Sequence, residues 1–177
     1  THFESGGVSI RYIDRGDGPA VILVHGFTGN SASWTELQEE LAKTHRVIAL
    51  DCRGHGQSGK PDHYGLAMVT DLIGLLDHLN IECATLVGYS MGAEIVLRTV
   101  VAYPDRVDAL VVAGSGWSGT IDEANYLGLS QALESSGSFG PMLANAGPEG
   151  QVPSAEDIAQ VDALLAENDT KALAKVA

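Results

Sequence analysis

Ser90 sits between Gly88 and Gly92 in the stretch LVGYSMGA, residues 86–93. An apolar run leads into it and a helix-like pattern follows at once. A serine on a sharp strand-to-helix turn is held in a strained backbone, and side chains two positions to either side would collide there, so glycine is required at both. The turn lifts the hydroxyl clear of the sheet. The chemistry such a hydroxyl performs is attack on an acyl carbonyl through a covalent intermediate. The attack builds negative charge on the carbonyl oxygen, and the Met91 N–H, at the positive end of the new helix, is aimed to meet it. A second donor is expected from the loop after an earlier strand. HGFTGN, residues 25–30, stands in that place; Gly26 and Gly29 leave room, and the Phe27 N–H is the natural donor.

A serine nucleophile needs a base. The six histidines are His2, His25, His45, His55, His63 and His78, and all precede Ser90. A base has to come within hydrogen-bond reach of the hydroxyl. His25 and His55 are placed on loops at the same end of the sheet as Ser90 and are the candidates to weigh, with a structural role as the default for both. Asp122 and Glu123 read as part of a solvated face. Lacking a base, a serine hydroxyl attacks poorly, so weak hydrolysis is expected of these 177 residues. A second glycine motif, GHGQSG at Gly54–Gly59, matches the dinucleotide-binding pattern. That pattern requires a helix to open inside it, and Pro61 with DHYG intervenes. The following strand also ends in Gly88-Tyr89-Ser90 rather than in the acid the pattern wants.

The elements that position these residues are legible as alternation. VSIRYID (Val8–Asp14) alternates like a strand with one wet face, and AVILVHG (Ala20–Gly26), RVIALD (Arg46–Asp51), ATLVGY (Ala84–Tyr89) and VDALVVAG (Val107–Gly114) read as buried strands. Between them, Ser33-x-x-Glu36 reads as a capping box opening a helix with Trp34, Leu37 and Leu41 on one face. Met68, Leu72, Leu75, Leu76 and Leu79 mark a second helix, and AEIVLRTVVAYP (Ala93–Pro104) a third that stops near its proline. Strand and helix alternate from Ala20 to Gly114, which predicts an α/β fold, a mostly parallel sheet with helices on both faces. Beyond Gly114 the chain turns to short helical patterns, the last opening at Ser154-x-x-Asp157, and reads as an appended helical lid.

Composition narrows the partners. Hydrophobic residues make up 45% and charged residues 19%, as in an ordinary globular domain. Net charge is -13, of which -7 falls in residues 120–177. Such a surface repels nucleic acid and anionic lipid. No apolar run reaches the ~18–20 residues that span a bilayer, and THFESGGVSI lacks the basic-then-apolar design of a signal peptide. Cys52 and Cys83 lie in no metal-ligand spacing. Free thiols in a reducing, cytoplasmic setting are expected, with no metal and no cofactor.

Four segments in order resemble the α/β-hydrolase superfamily: ILVHGFTGN, VIALDCRGHGQSG, ATLVGYSMG and YPDRVDALVVAG. The resemblance implies a six-strand core over residues 1–118, its first two strands antiparallel and the rest parallel, and a cap over 119–177. It implies Ser90 as nucleophile, the Phe27 and Met91 amides as oxyanion hole, His25 and Gly26 as supports of that loop, and Trp117 lining the pocket. It also implies that the triad acid and histidine follow Ser90, a part of the pattern this chain does not carry. Relatives that act on epoxides or carbon–halogen bonds carry Asp at the turn; Ser points instead to esters, thioesters, lactones or carbon–carbon bonds beside carbonyls. The loops are similar both to small-molecule esterases and to menaquinone-pathway lyases. A small acyl substrate is the expected partner; the alternative is a non-catalytic module of the same fold that binds a small ligand or partner. An uncovered last strand, ALVVAG, or the cap helices would favour self-association.

Overall fold

The computed structural model describes residues 1–114, 130, 131, 133–135, 154–166, 169 and 172. Six strands form one sheet: β1 (His2–Ser5), β2 (Val8–Arg15), β3 (Ala20–Val24), β4 (Arg46–Leu50), β5 (Ala84–Tyr89) and β6 (Val107–Ala113). Their spatial order is β1-β2-β4-β3-β5-β6. β2 runs antiparallel to both β1 and β4, and the remaining neighbours are parallel. The α-helices whose bounds fall among the described residues are α1 (Thr35–Leu41), α2 (Leu66–His78), α3 (Met91–Ala102) and α4 (Ala155–Ala166).

The continuous apolar runs are explained by burial on both faces. Ile22, Val24, Ile48, Leu50 and Leu86 face one way and join Leu72, Leu75 and Leu76 of α2 and Ile95 and Val96 of α3 in the larger core. The alternate residues Val21, Leu23, Val47 and Ala49 face the other way, against Trp34, Leu41 and Ala42 beside α1. The α/β architecture expected from the sequence is therefore present.

Two local expectations change. Periodicity leaves strand β1 unmarked, because HFES carries one apolar residue, Phe3, although the six-strand core implied by the resemblance needs a strand before Val8. It is held by a hairpin whose turn residues Gly6 and Gly7 have φ of +56° and +79°, the left-handed pair that two-residue hairpins favour. The capping box at Ser33 is also displaced. The helical segment opens one turn earlier as a 3-10 turn (Ser31–Trp34) capped by Asn30, whose side chain accepts the Ala32 N–H at 2.8 Å. Ser33 is the reciprocal partner, not the cap. Leu37 is accordingly exposed at 40%, and Gln38 is buried in its place, donating from Nε2 to the carbonyls of Ile13 and Val47 at 3.1 and 3.0 Å.

Register decides where the loops stand. Val24 lies opposite Leu50 of β4 and opposite Gly88 of β5. The three strands therefore finish level, and the segments beginning at His25, Asp51 and Ser90 emerge at one edge. β6 pairs with β5 and with no other strand among the described residues, and Val111 is half exposed. Of the expected cap, 119–177, the structure describes chiefly α4, which follows Ser154 as its sequence pattern predicts. Among the described residues, no helix is long and apolar enough to cross a membrane.

Candidate active site

Ser90 occupies the crossing from β5 to α3 with φ +52° and ψ -115°, one of two non-glycine residues at positive φ among those described. A side chain held there stores strain of order 1–3 kcal/mol. The surroundings enforce it. A Cβ on Gly88 would stand 2.3 Å from the Gly92 carbonyl oxygen, and a Cβ on Gly92 would stand 2.2 Å from the carbonyl oxygen of Val24. Main chain meets main chain at both points, so α3 is drawn close under β3 and the Ser90 backbone has nowhere else to go. The Ser90 N–H is bonded to the Ala113 carbonyl at 2.9 Å, tying the turn to the end of β6. Met91 is the first residue of α3, and its N–H belongs to the set a helix leaves without an intrahelical acceptor.

Above Ser90 lies a cavity of about 680 Å³ whose walls include His25, Gly26, Phe27, Asn30, Trp34 and Tyr89. Gly26 comes close enough that its Cβ would lie 3.3 Å from Ser90 Cβ. The Gly26 carbonyl accepts two hydrogen bonds, from His25 Nδ1 at 2.7 Å and from the Gly29 N–H at 2.9 Å. In a trans peptide the next N–H runs antiparallel to that carbonyl. The bonds that hold the Gly26 oxygen therefore also set the direction of the Phe27 N–H. Tyr89, 52% exposed, fills the space between this loop and the end of β6; a Cβ on Gly26 would touch one edge of its ring at 3.0 Å and a Cβ on Gly114 the other at 2.5 Å.

The two loop histidines do not serve Ser90. His25 is buried, and its Nε2 accepts the Cys52 N–H at 2.9 Å, so the proton resides on Nδ1. Burial, with His55 beside it, pushes its pKa down to about 3. His55 is buried against the carbonyls of Phe27 and Arg53, 2.6 Å from Nε2 and 3.0 Å from Nδ1. None of the six histidines hydrogen-bonds the Ser90 hydroxyl among the described residues. Trp117, Asp122 and Glu123 lie outside the described residues.

Asp51, the hub of the site's underside, was legible only as part of a structural loop. Its Oδ1 accepts the Ser31 N–H at 2.7 Å, its Oδ2 accepts the Gln57 N–H at 2.8 Å, and Arg11 Nη1 stands 3.4 Å from both. Burial alone would raise its pKa; the hydrogen bonds from Ser31 and Gln57 and the nearby Arg11 outweigh that and hold it below the usual carboxylate range. One glycine of GHGQSG packs against the protein's own carboxylate: a Cβ on Gly56 would lie 2.3 Å from Asp51 Oδ2, whereas Gly54 faces the Tyr64 ring and Gly59 faces Val8. The next helix, α2, opens only at Leu66, past the end of the motif, so no helix N-terminus stands inside it as a dinucleotide site requires. Farther along the same loop, Arg53 grips Asp71 of α2 with two bonds of 2.6 Å, both side chains almost wholly buried.

The sequence profile for the alpha/beta hydrolase fold matches residues 19–134, and the chain belongs to that family. It is 40% identical over 111 residues to a putative 2-succinyl-6-hydroxy-2,4-cyclohexadiene-1-carboxylate synthase of Bacillus subtilis, covering 58% of this chain and 40% of that protein. Among solved structures it is similar to a hydrolase from Pseudomonas aeruginosa, at TM-score 0.80 and 26% identity over 99% of this chain and 70% of that one. It is also similar to Est816, an N-acyl homoserine lactone degrading enzyme, at TM-score 0.76 and 28% identity over 100% of this chain and 70% of that one. The chain spans well under half the length of the curated relatives it matches.

Proposed function

We propose that the chain carries the nucleophile and oxyanion half of a serine hydrolase acting on a small carboxylic ester or related acyl substrate. The observation that carries this reading is Ser90 at positive φ between two glycines that have no room for a side chain. Ser90 Oγ adds to the acyl carbon and its proton passes to a base. The Phe27 and Met91 N–H groups receive the developing oxyanion, each worth about 3–4 kcal/mol of barrier. Collapse expels the alcohol, which takes up a proton, and leaves an acyl-enzyme. Water then adds to the same carbon, and the acid departs as Ser90 is restored. Lactone cleavage by a relative of similar fold agrees with acyl chemistry on this scaffold. His25 and His55 are committed to main-chain partners, so on amides and binding alone the rate would exceed that in water by ~10³–10⁴-fold.

A fluorophosphonate probe tests the reading. Covalent labelling of the peptide containing Ser90, abolished in Ser90→Ala, is expected. Folded protein that takes no label would favour the other reading, a binding module that keeps the fold without the reaction.

A further inference from the structure

The loop that carries Phe27 is short, glycine-rich and outside regular secondary structure. Something else must hold its peptides still. Beneath it two imidazoles stand 5.0 Å apart, ring centre to ring centre, one from the end of β3 and one from the loop after β4. They reach consecutive carbonyls: His25 Nδ1 the Gly26 oxygen at 2.7 Å, His55 Nε2 the Phe27 oxygen at 2.6 Å.

We propose that His55 is a positioning residue for the oxyanion amide, donating from Nε2 to the Phe27 carbonyl so that the two peptide planes flanking Phe27 are pinned, one by each histidine. This rests on the acyl-transfer reading of Ser90. Each residue has two soft dihedrals, set by the planes before and after it. His25 fixes the plane that contains the Phe27 N–H. His55 fixes the plane that follows. With both anchored, the φ and ψ of Phe27 are determined and the direction of its N–H is fixed.

The proton on His55 has one consistent place. Both ring nitrogens face carbonyls, which only accept, and a neutral imidazole carries one N–H. Burial lowers the pKa of His55 against the pull of the Arg53 and Phe27 carbonyls and of Asp51, with Lys60 acting in the same direction as burial. The ring is therefore neutral, and the shorter contact, to Phe27, takes the proton. The contact to Arg53 is imposed by a turn two residues long.

The Gln and Asn variants separate the two contacts, because the Gln amide nitrogen overlies Nε2 and the Asn amide nitrogen overlies Nδ1. In the full chain, His55→Asn should lower the second-order rate of fluorophosphonate labelling at Ser90 by about tenfold or more, whereas His55→Gln should stay within about threefold of wild type. Equal rates in the two variants, or rescue by Asn and not Gln, would overturn the proposal. Nitrogen-15 spectra of the imidazoles in the wild-type chain supply a readout independent of reactivity and of variant folding: His55 should carry its proton on Nε2 and His25 on Nδ1. A His55 protonated on Nδ1 would overturn the clamp even if labelling were fast. Failure of the wild-type chain to label would sink the acyl reading alone and leave the clamp to be judged by the tautomer.

Discussion

Two glycines on two helices make a matched pair for testing how the nucleophile turn is built. Alanine is the better helix former by about 1 kcal/mol. On α2, a methyl at Gly74 would meet Phe3 Cε2 at 3.5 Å and Ser5 Oγ at 3.6 Å, ordinary contact distances. Gly74→Ala should therefore stabilise the fold by about 0.5–1 kcal/mol, raising Tm by roughly 1–4 °C. On α3, the same methyl at Gly92 would stand 2.2 Å from the Val24 oxygen and 2.7 Å from the His25 oxygen. Restoring van der Waals separation needs about 1 Å of movement between α3 and β3, and no rotamer can absorb it because the obstruction is main chain. Overpacking costs about 1–3 kcal/mol, more than the helix propensity returns. Gly92→Ala should lower Tm by several degrees. It should also slow labelling of Ser90 by about 10², since a 1 Å misplacement between nucleophile and oxyanion donor is enough for that. Thermal unfolding and fluorophosphonate kinetics on both variants are the assay. A Gly92→Ala protein that melts no lower than wild type and labels within threefold of it would refute the geometric account of the turn.

Other consequences are open to measurement. Folded His25 titrates near 3 against an ordinary 6.5, so it stays neutral where the unfolded chain would be protonated. Stability is then complete above pH 6.5 and drains away as pH falls from 6.5 toward 3, by about 2 kcal/mol between pH 7 and pH 5. Urea titrations at the two pH values should show that slope, and His25→Asn should flatten it. Asp51 works lower on the scale: its depressed pKa confers stability that is present above the unfolded value of 3.8 and lost as pH falls through the folded one. Acid unfolding below pH 4 should therefore be blunted in Asp51→Asn, measured against that variant's own neutral baseline. Asp71→Ala strands the buried Arg53 guanidinium and should cost about 3–5 kcal/mol, whereas the double change Arg53→Met with Asp71→Leu should recover most of it, as a double-mutant cycle would show.

Much of this was written in one dimension. Unbroken apolar strands such as AVILV imply burial on two faces, and the Gly-x-Ser-x-Gly spacing between strand and helix implies the turn at Ser90. Less visible were features whose signal is a single residue acting across the fold. Gln38 fills a helix face that periodicity assigned to Leu37, because the helical segment starts at Asn30, and a polar side chain can be buried where two carbonyls await it. β1 was hidden for lack of apolar residues, although Gly6-Gly7 is a hairpin signal that would have revealed it. Asp51 gives no local sign of gathering Ser31, Gln57 and Arg11, since these partners converge only once β2, β3 and β4 are side by side.

The level finish of β3, β4 and β5 bears on how this scaffold can vary over evolutionary time. Deleting one residue from β3 would retract His25 by about 3.3 Å and turn the two faces of that strand inside out. Indels are therefore barred below the line drawn by Val24, Leu50 and Gly88. Lineages of this fold should differ in length above that line, where extra chain can reshape what the cavity admits without moving the hydroxyl that waits beneath it.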